Sequence, residues 1–340
     1  MQVFVAANFL QVTCARVPQL PRPGEIVLAS GTHSEAGGKG LNVALGCRRL
    51  GAEVRALVGI GRDAPGDGLI ALLHAHGISD THVHRLAEVS GMGMGFIGSD
   101  GQNCGAVFAG PNLLLDAAHA EQAQADIGAS DWVYGQFETA LPAVQRCFEL
   151  AQAAGVPTLL NPSPWQAIPD ALLVLTQVLL VNEVEAAQLL GTPLPADGDL
   201  AALAQGMRAQ VDVLWSRWPG RLLVVTAGHR GSIAFAPGRS PWLCPAHAVD
   251  AIDTLGAGDA FASGLIMALG QGWQDDSAVL AAALQQATAC GALMASCAGV
   301  LDALPSRATL AQFTSGRPEP EVRTLAASSP AIGPAIKPAS

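Results

Sequence analysis

The sequence predicts an α/β fold in which a mainly parallel central sheet is covered by helices on both faces. The main observation is a regular alternation of short apolar runs and helical patterns from Asp131 onward. Two glycine-rich stretches, 37–42 and 253–259, each lead from a loop into a helical pattern. In open parallel sheets, ligands bind outside the carboxyl ends of the strands. We therefore expect the polar residues at those ends to form the functional site together with the two glycine-rich stretches.

Short apolar runs between turn residues are typical of buried strands. In the first half of the chain such runs predict strands at 2–7, 54–60, 91–98 and 105–109. Helical patterns follow the first two of these strands: the stretch 37–44 runs into one that ends near Leu50-Gly51, and another covers about 65–76. The last two flank the turn-forming residues 99–103 and therefore predict a β-hairpin.

In the second half of the chain, strands and helices alternate more strictly. We predict strands at 132–134, 158–160, 178–181, 222–226 and 232–236. We predict helices at 141–154, from Asn182 to Leu190, at 257–271 and at 276–296. After Gly316 the chain is rich in Pro, Ser and Ala, a composition typical of disorder. One domain at 1–316 and a disordered tail at 317–340 are therefore expected.

Composition and charge restrict the class of ligand. The chain has 340 residues, of which 50% are hydrophobic and 14% charged, and its formal net charge is −10. No basic block offsets that charge, so neither nucleic acid nor a membrane is an expected partner. The seven cysteines are scattered and form no Cys-x-x-Cys pair, which is typical of reduced thiols in a cytoplasmic protein. We expect a cytoplasmic protein with a small polar substrate.

The stretch Asp253-Thr254-Leu255-Gly256-Ala257-Gly258-Asp259 carries the strongest chemical signal. Gly256 and Gly258 allow a sharp turn and close approach of a ligand, and the amides of the first helical turn can bind an anion. Asp259 stands at the mouth of that anion site. A base beside a phosphate-binding loop suggests phosphoryl transfer to a hydroxyl. The alternative is that Asp259 only complements the helix dipole.

The stretch Gly37-Gly38-Lys39-Gly40-Leu41-Asn42 is a second candidate for ligand binding. Its glycines allow close backbone approach, and Lys39 and Asn42 can donate to hydroxyls or phosphate. It is not a P-loop, because Gly40 stands where Ser or Thr should follow the lysine.

Two other patterns have competing interpretations. Gly59-x-Gly61-x-x-Ala64 matches a relaxed dinucleotide fingerprint, but it lies in the second βα unit and no further feature of that kind follows. His74, His76, His82 and His84 resemble a metal cluster, but they straddle a helix end and a loop, and a solvated surface is favoured.

With these motifs assembled, residues 2–313 resemble the ribokinase-like (PfkB) family of carbohydrate kinases. The stretch 37–42 is similar to the N-terminal signature of that family, and 253–259 is similar to its C-terminal signature. Blocks at 136–138, 161–164, 181–185 and 226–231 resemble internal family blocks. The resemblance implies a ribokinase-like three-layer fold with a small β lid, built from about 8–35 and 91–109. Such lids often pair, so a homodimer is expected.

The resemblance also implies roles for individual residues. Asp259 would be the general base for a sugar hydroxyl, and the backbone amides from Leu255 to Gly258, with Gly256 and Ala257 between them, would stabilise the charge on the transferring phosphoryl group. The sugar would contact Gly38, Lys39, Asn42, Glu138 and Asn8. ATP would lie along Asn182, Thr226, Gly228 and Gly231, and Glu185 would help to hold Mg²⁺ through water. A candidate monovalent cation site for K⁺ consists of Asp253, Leu255, Met294, Cys297 and Gly299.

Two positions depart from the family pattern. Ribokinases have an Asp after the first strand that grips sugar hydroxyls, whereas residues 8–12 contain no acid, so weak saturation with D-ribose is expected. Ala303 stands where ribokinases often have a serine beside the monovalent cation.

Two alternative functions remain open. A nucleoside kinase would need an apolar pocket for the base, which Phe9, Phe96 or Phe108 could provide. A metabolite-binding protein of the same fold, catalytically weak, would explain the missing acid, but Asp259 argues against it. A phosphofructokinase-type role is disfavoured, because no basic residues near Lys39 would recognise a substrate phosphate.

Overall fold

The computed structural model describes residues 1–100, 102–195, 197–270 and 276–325. The strands are β1 (Gln2–Ala6), β2 (Leu10–Val17), β3 (Gly31–Gly37), β4 (Glu53–Gly61), β5 (Val83–Ala87), β6 (Met92–Gly98), β7 (Asn103–Phe108), β8 (Trp132–Gln136), β9 (Thr158–Asn161), β10 (Val178–Asn182), β11 (Leu222–Thr226), β12 (Gly231–Phe235), β13 (Trp242–Pro245) and β14 (Arg323–Thr324). The α-helices are α1 (Lys39–Arg49), α2 (Ala64–Ala75), α3 (Ala117–Gln122), α4 (Gln124–Gly128), α5 (Leu141–Ala153), α6 (Asp170–Leu173), α7 (Glu183–Leu190), α8 (Leu200–Trp215), α9 (Ala257–Leu269), α10 (Ser277–Ala295) and α11 (Arg307–Thr314).

The central sheet is mainly parallel, which confirms the predicted fold class. The order of its described strands is β14-β13-β12-β11-β10-β9-β8-β1-β4-β5. Pairing is parallel from β11 to β5, and antiparallel where β12, β13 and β14 extend the edge. Because the parallel strands share a direction, their carboxyl ends lie along one edge of the sheet.

Alternate residues of the central strands pack into two separate cores, one on each face of the sheet. In β1, Val3 and Val5 join one core, whereas Phe4 and Ala6 join the other. The first core also contains apolar residues of α1, α9 and α10, and the second contains those of α5 and α8. This arrangement is the expected three-layer architecture.

Helix α10 is long and apolar enough to cross a membrane by length and composition, a property not foreseen from the sequence. Half of its apolar window is nevertheless buried inside the fold. It packs closely on α9, since a Cβ at Gly264 of α9 would lie 2.9 Å from Ala287 Cα of α10. These contacts are those of a core helix.

A second, small sheet has the order β3-β2-β6-β7 and corresponds to the predicted lid. Strand β2 pairs antiparallel with β3 and parallel with β6, and β6 and β7 form the predicted hairpin. A Cβ at Gly93 of β6 would lie 3.2 Å from the side chain of Val12, and a Cβ at Gly95 would lie 3.2 Å from that of Cys14. Glycine at these positions therefore lets the two β2 side chains lie over β6.

Parts of the chain differ from the sequence-based expectation. The sequence did not predict α8 or β13, although Asp199 caps α8 by accepting from the amide of Ala202. In the tail expected to be disordered beyond Gly316, Arg323 and Thr324 pair with β13. The remaining part of that tail from 326 onward lies outside the described residues, as does residue 271, the predicted end of α9.

The histidines are not all at a solvated surface. His82 is buried, and its Nε2 lies 2.7 Å from Asp126 Oδ2, so the expectation of a solvated position was wrong for this residue. Within the described ranges no group of three or more His, Cys, Asp or Glu is arranged to hold a metal ion. Gly59 packs against the backbone of residue 111, and Gly61 packs against the backbone of residues 89–90. The glycines of the dinucleotide-like pattern therefore have a packing role.

Candidate active site

A cavity of about 1050 Å³ lies between the lid and the carboxyl edge of the central sheet. Its lining combines lid residues with both glycine-rich stretches and with the ends of β10 and β11. Of the residues predicted to form the site, the cavity brings together Gly38, Lys39, Asn42, Glu138, Asn182, Thr226, Gly228, Gly231, Asp253, Leu255, Gly256, Ala257, Gly258 and Asp259. Segments far apart in the sequence therefore share one site, as expected for a parallel sheet.

The turn before α9 depends on Gly256, which adopts a left-handed conformation with φ +76°. A Cβ at this position would lie 2.8 Å from Met294 Cε. A Cβ at Gly258 would meet no atom within 4 Å and would instead project into open space. The two glycines therefore have different functions: Gly256 permits the turn, and Gly258 keeps the cavity clear.

The backbone amides at this turn are only partly engaged. The amide of Leu255 donates to Asp253 Oδ1 at 2.9 Å, and that of Ala257 donates to Thr254 O at 3.3 Å. Within the described part of the chain, the amides of Gly256, Gly258 and Asp259 donate no hydrogen bond. The available donors at the start of α9 are therefore not the full set from Leu255 to Gly258.

Asp259 is a buried carboxylate whose charge is only partly compensated. It is 7% exposed, and its Oδ2 accepts a 2.8 Å hydrogen bond from Asn42 Nδ2. Burial raises the pKa of Asp259 to about 6, although the positive charge of Lys39 and the Asn42 hydrogen bond oppose this, while the negative charge of Glu138 adds to it. A carboxylate with a pKa near neutrality is suited to accept a proton.

Glu138 is held by a network around Asn8. Its Oε2 accepts from Asn8 Nδ2 at 2.8 Å and from the amide of Lys39 at 3.0 Å. Asn8 Oδ1 in turn accepts from the amide of Gly40 at 2.9 Å. Asn8 is fully buried and does not line the cavity, in contrast to its expected contact with substrate. The structure places Asn8 behind Glu138, where it orients that carboxylate and the start of α1.

The backbone conformation of Gly38 allows it to pack directly against Asn8 of the same network. Its φ is +118°, and a Cβ there would lie 2.6 Å from Asn8 Nδ2. A Cβ at Gly40 would lie 2.5 Å from Ala7 Cα. The glycines of the N-terminal motif therefore let α1 begin directly against the end of β1.

We expect Asn8→Ala to reduce the free energy of unfolding by at least about 2 kcal/mol. The substitution leaves the buried amide of Gly40 without its acceptor, and each such loss costs about 1–3 kcal/mol. Urea denaturation followed by tryptophan fluorescence measures the change. Gln11→Ala, which removes an exposed hydrogen bond to Ser34, is the control and should change stability by less than about 0.5 kcal/mol. Equal stability of Asn8→Ala and wild type would contradict this role.

At the other end of the cavity, Asn182 and Glu185 form a capping box at the start of α7. Asn182 Oδ1 accepts from the amide of Glu185, and Glu185 Oε2 accepts from the amide of Asn182, both at 2.9 Å. Glu185 is buried and does not line the cavity, whereas Asn182 does. One carboxylate oxygen of Glu185 stays outside the capping box. Because Glu185 does not line the cavity, the pair fits a Mg²⁺ ion that is bound through water and not directly.

Gly231, which was predicted to contact the nucleotide, also has a structural role. Its φ is +120°, and a Cβ would collide with the carbonyl oxygen of Cys244, its neighbour in β13. Gly228 has a φ of +52° and open space around it. Gly231 therefore allows β12 and β13 to pair, and Gly228 leaves the cavity clear.

Four of the five candidate cation residues lie on two loops that the fold brings together, and Met294 lies in the last turn of α10. The amide of Ile252 donates to Ala295 O at 2.8 Å, which fixes the loop before α9 beside the end of α10. The first loop contributes Asp253 and Leu255, and the second contributes Cys297 and Gly299. One carboxylate with several carbonyl groups is a donor set of oxygen atoms that suits K⁺ better than a transition metal.

Glu35, a lid residue that was not predicted to belong to the site, also lines the cavity. It lies on β3 opposite Val12 of β2. Burial raises the pKa of the Cys14 thiol, and the negative charges of Glu35 and Asp253 raise it further. The lid and the loop before α9 therefore share one electrostatic environment. No linear motif marks Glu35; only the alternation of side chains along β3 could have identified it.

Comparisons with known proteins agree with this geometry. The family described as pfkB family carbohydrate kinase matches residues 9–307. Ribokinase from Haemophilus influenzae is 30% identical over 298 residues, which cover 87% of this chain and 93% of the relative.

Solved structures show the same fold. Ribokinase from Giardia lamblia has a TM-score of 0.81 at 21% identity, with 92% of this chain and 98% of that chain covered. Arabidopsis thaliana ribokinase complexed with ribose and ATP has a TM-score of 0.81 at 23% identity, with 92% of this chain and 97% of that chain covered. The chain therefore belongs to the pfkB family of carbohydrate kinases, which transfer a phosphoryl group to an alcohol.

Proposed function

We propose that this kinase transfers the γ-phosphoryl group of ATP to a hydroxyl of a small sugar or related polyol, with Asp259 as general base. The observation that carries the proposal is the position of Asp259, a buried carboxylate with a pKa of about 6 beside the free amides of Gly256 and Gly258. A proton acceptor and an anion site then lie within one turn of helix. Phosphoryl transfer requires this combination.

In the proposed reaction, the sugar hydroxyl gives its proton to Asp259 as its oxygen attacks the γ-phosphorus. The bond between that phosphorus and the β–γ bridging oxygen breaks, and ADP leaves. Asn42 holds the carboxylate of Asp259 in place, and Lys39 and Glu138 contact the sugar. The free amides at the start of α9 stabilise negative charge on the transferring group.

The nucleotide end of the cavity supports ATP as the donor. Asn182, Thr226 and Gly228 line it, and the structure of the similar Arabidopsis ribokinase is described as a complex with ribose and ATP. We place Mg²⁺ beside Asn182 and Glu185, through water, where it would neutralise phosphate charge. We place K⁺ at the loop pair that contains Asp253 and Gly299.

A coupled assay for ADP tests this proposal on D-ribose, D-fructose, related polyols and purine nucleosides with ATP and Mg²⁺. We expect turnover with at least one free sugar. Turnover with nucleosides alone would replace the proposal with a nucleoside kinase. Thermal shift detects binding without turnover, because a ligand at a hundred times its Kd adds about 2.7 kcal/mol of stability. That result would instead indicate a metabolite-binding protein.

For the nucleoside alternative, the structure places one of the three phenylalanines considered for the base at the cavity. Phe9 is fully buried in the core, and Phe108 is 54% exposed and does not line the cavity. Of the three phenylalanines considered, Phe96 alone lines the cavity. A base would therefore find a single aromatic contact from this set.

The raised pKa of Asp259 predicts how activity depends on pH. The base must be ionised, so kcat/KM should be constant above its pKa of about 6 and should fall below it, by about tenfold per pH unit. The pH profile of kcat/KM between pH 5 and 8 checks this, with ATP and Mg²⁺ saturating. The Asp259→Asn variant is the control, and its residual kcat/KM should not show this fall at acidic pH. A profile that stays flat down to pH 5 would contradict the assignment.

We also infer a homodimer formed through the lid, in a cytoplasmic enzyme. Ile26 and Leu28, in the loop between β2 and β3, are 95% and 88% exposed, so the lid carries uncovered apolar side chains. The seven cysteines are free, which suits a reducing compartment. Light scattering should give twice the chain mass of 34.7 kDa. A monomeric mass at micromolar concentration would exclude the dimer.

A further inference from the structure

The carboxylates around the cavity differ in the hydrogen bonds and ion pairs that the protein supplies to them. The acidic residues that line it are Glu35, Glu138, Glu183, Asp253 and Asp259. Glu138 and Asp259 accept the hydrogen bonds described above, Glu183 pairs with Arg230, and Asp253 accepts from the amide of Leu255. Across the described ranges, the carboxylate of Glu35 accepts no hydrogen bond, and its ion pair is with His33 Nε2 at 3.6 Å.

The surroundings of Glu35 make it a strong acceptor. Its side chain is 21% exposed, and its neighbours on the cavity side of the lid include Val12 and Cys14. A partly buried carboxylate between apolar groups has few waters to satisfy it, and hydrogen bonds made there are stronger than in bulk water. Donor groups of a bound ligand can supply the missing partners.

The charge balance of the cavity restricts what that ligand can be. Its lining holds five carboxylates, whereas its basic side chains are Lys39, His229 and His247. The amides before α9 provide for the phosphates of the nucleotide, but the lid side offers a negative charge at Glu35. A phosphate on the acceptor sugar would meet repulsion at the lid, whereas hydroxyl groups would be attracted.

We propose that Glu35 determines the substrate specificity of this kinase: its carboxylate accepts hydrogen bonds from hydroxyl groups of an uncharged sugar under the lid and disfavours sugars that already carry phosphate. The proposal rests on the proposed function, since it assigns the acceptor substrate of the same site. It also accounts for sugar binding in a chain that has no acid in residues 8–12, because the carboxylate comes from β3 instead.

Glu35→Gln tests the proposal, because it keeps the size of the side chain and removes its charge. With the sugar that wild type phosphorylates best, we expect KM for the sugar to rise at least about tenfold, the effect of losing one charge-assisted hydrogen bond. The KM for ATP should stay within about twofold, since the residues proposed to contact the nucleotide lie at the ends of β10 and β11 and not on the lid. Glu88→Gln is the matched control on an 85% exposed side chain and should leave both constants unchanged.

Direct calorimetry of sugar binding without ATP separates this inference from the proposed function. If wild type binds a sugar without transferring phosphate, the proposed function fails, but the ratio of the two Kd values still tests Glu35. Glu35→Asp, which keeps the charge, should bind the sugar more tightly than Glu35→Gln, and Glu35→Ala, which also removes the charge, replaces Glu35→Gln if that variant fails to fold. A rise in sugar KM or Kd below about tenfold for Glu35→Gln, or an equal rise in KM for ATP, would overturn the proposal.

Discussion

Asp259→Asn should lower kcat at least about a hundredfold, the usual scale of general base catalysis. The asparagine keeps the shape of the side chain, and its carbonyl oxygen can still accept the hydrogen bond from Asn42 Nδ2. It cannot accept a proton from the sugar hydroxyl. We therefore expect KM for the sugar to change by less than about threefold, because the loss acts on the transition state rather than on binding.

The control for this variant is Asp302→Asn, which makes the same chemical change at an exposed position. Its kcat should equal that of wild type. Steady-state kinetics on both purified variants, with circular dichroism to confirm the fold, completes the comparison. Near-normal turnover by Asp259→Asn would remove Asp259 from the mechanism and leave the carboxylate as a helix-dipole partner.

Gly258→Val should lower turnover at least about a hundredfold, comparable to the loss of an oxyanion donor. Its Cβ meets no protein atom within 4 Å, so the side chain enters the space proposed for the phosphoryl group. Valine is no worse a helix former than glycine, so the free energy of unfolding should not fall. Kinetics and thermal unfolding of the same preparation test both statements.

Gly256→Ala is the matched variant in the same turn, with the opposite balance of effects. A residue with a Cβ at φ +76° is strained, and this Cβ would also press on Met294 Cε. We expect a loss of about 1–3 kcal/mol in unfolding free energy. If Gly258→Val is destabilised as much as Gly256→Ala, both glycines are structural and the phosphate site lies elsewhere.

The sequence predicted the sheet and the main elements because their signals are local. Apolar runs mark β1, β4 and β8 to β12, and helix patterns mark α1, α5 and α9, so the parallel sheet followed from their alternation. The two glycine motifs were also local, and both line the cavity. Helix α8 was missed although Asp199 and buried apolar residues spaced three or four apart mark it locally, whereas β13 is only four residues long and carries little local signal.

The roles of Asn8 and Glu35 could not be read from the sequence, because each depends on contacts across the fold. Asn8 was expected to contact the substrate, yet its side chain lies behind Glu138, which is 130 residues away in the chain. Glu35 reaches the cavity because β3 pairs with β2, and no motif surrounds it. Glu185, in contrast, uses one oxygen to cap α7, a contact that the Asn182-x-x-Glu185 spacing indicates but that was not predicted.

The proposed reaction transfers the γ-phosphoryl group of ATP to a sugar hydroxyl, and this transfer can be followed with a label. ATP labelled at the γ-position is incubated with wild type, Mg²⁺ and each sugar of the panel, and the products are separated by chromatography. We expect the label to appear in a sugar monophosphate in a one-to-one ratio with ADP, and Asp259→Asn to abolish most of this transfer. Label recovered only as inorganic phosphate or unchanged ATP with every sugar would contradict it.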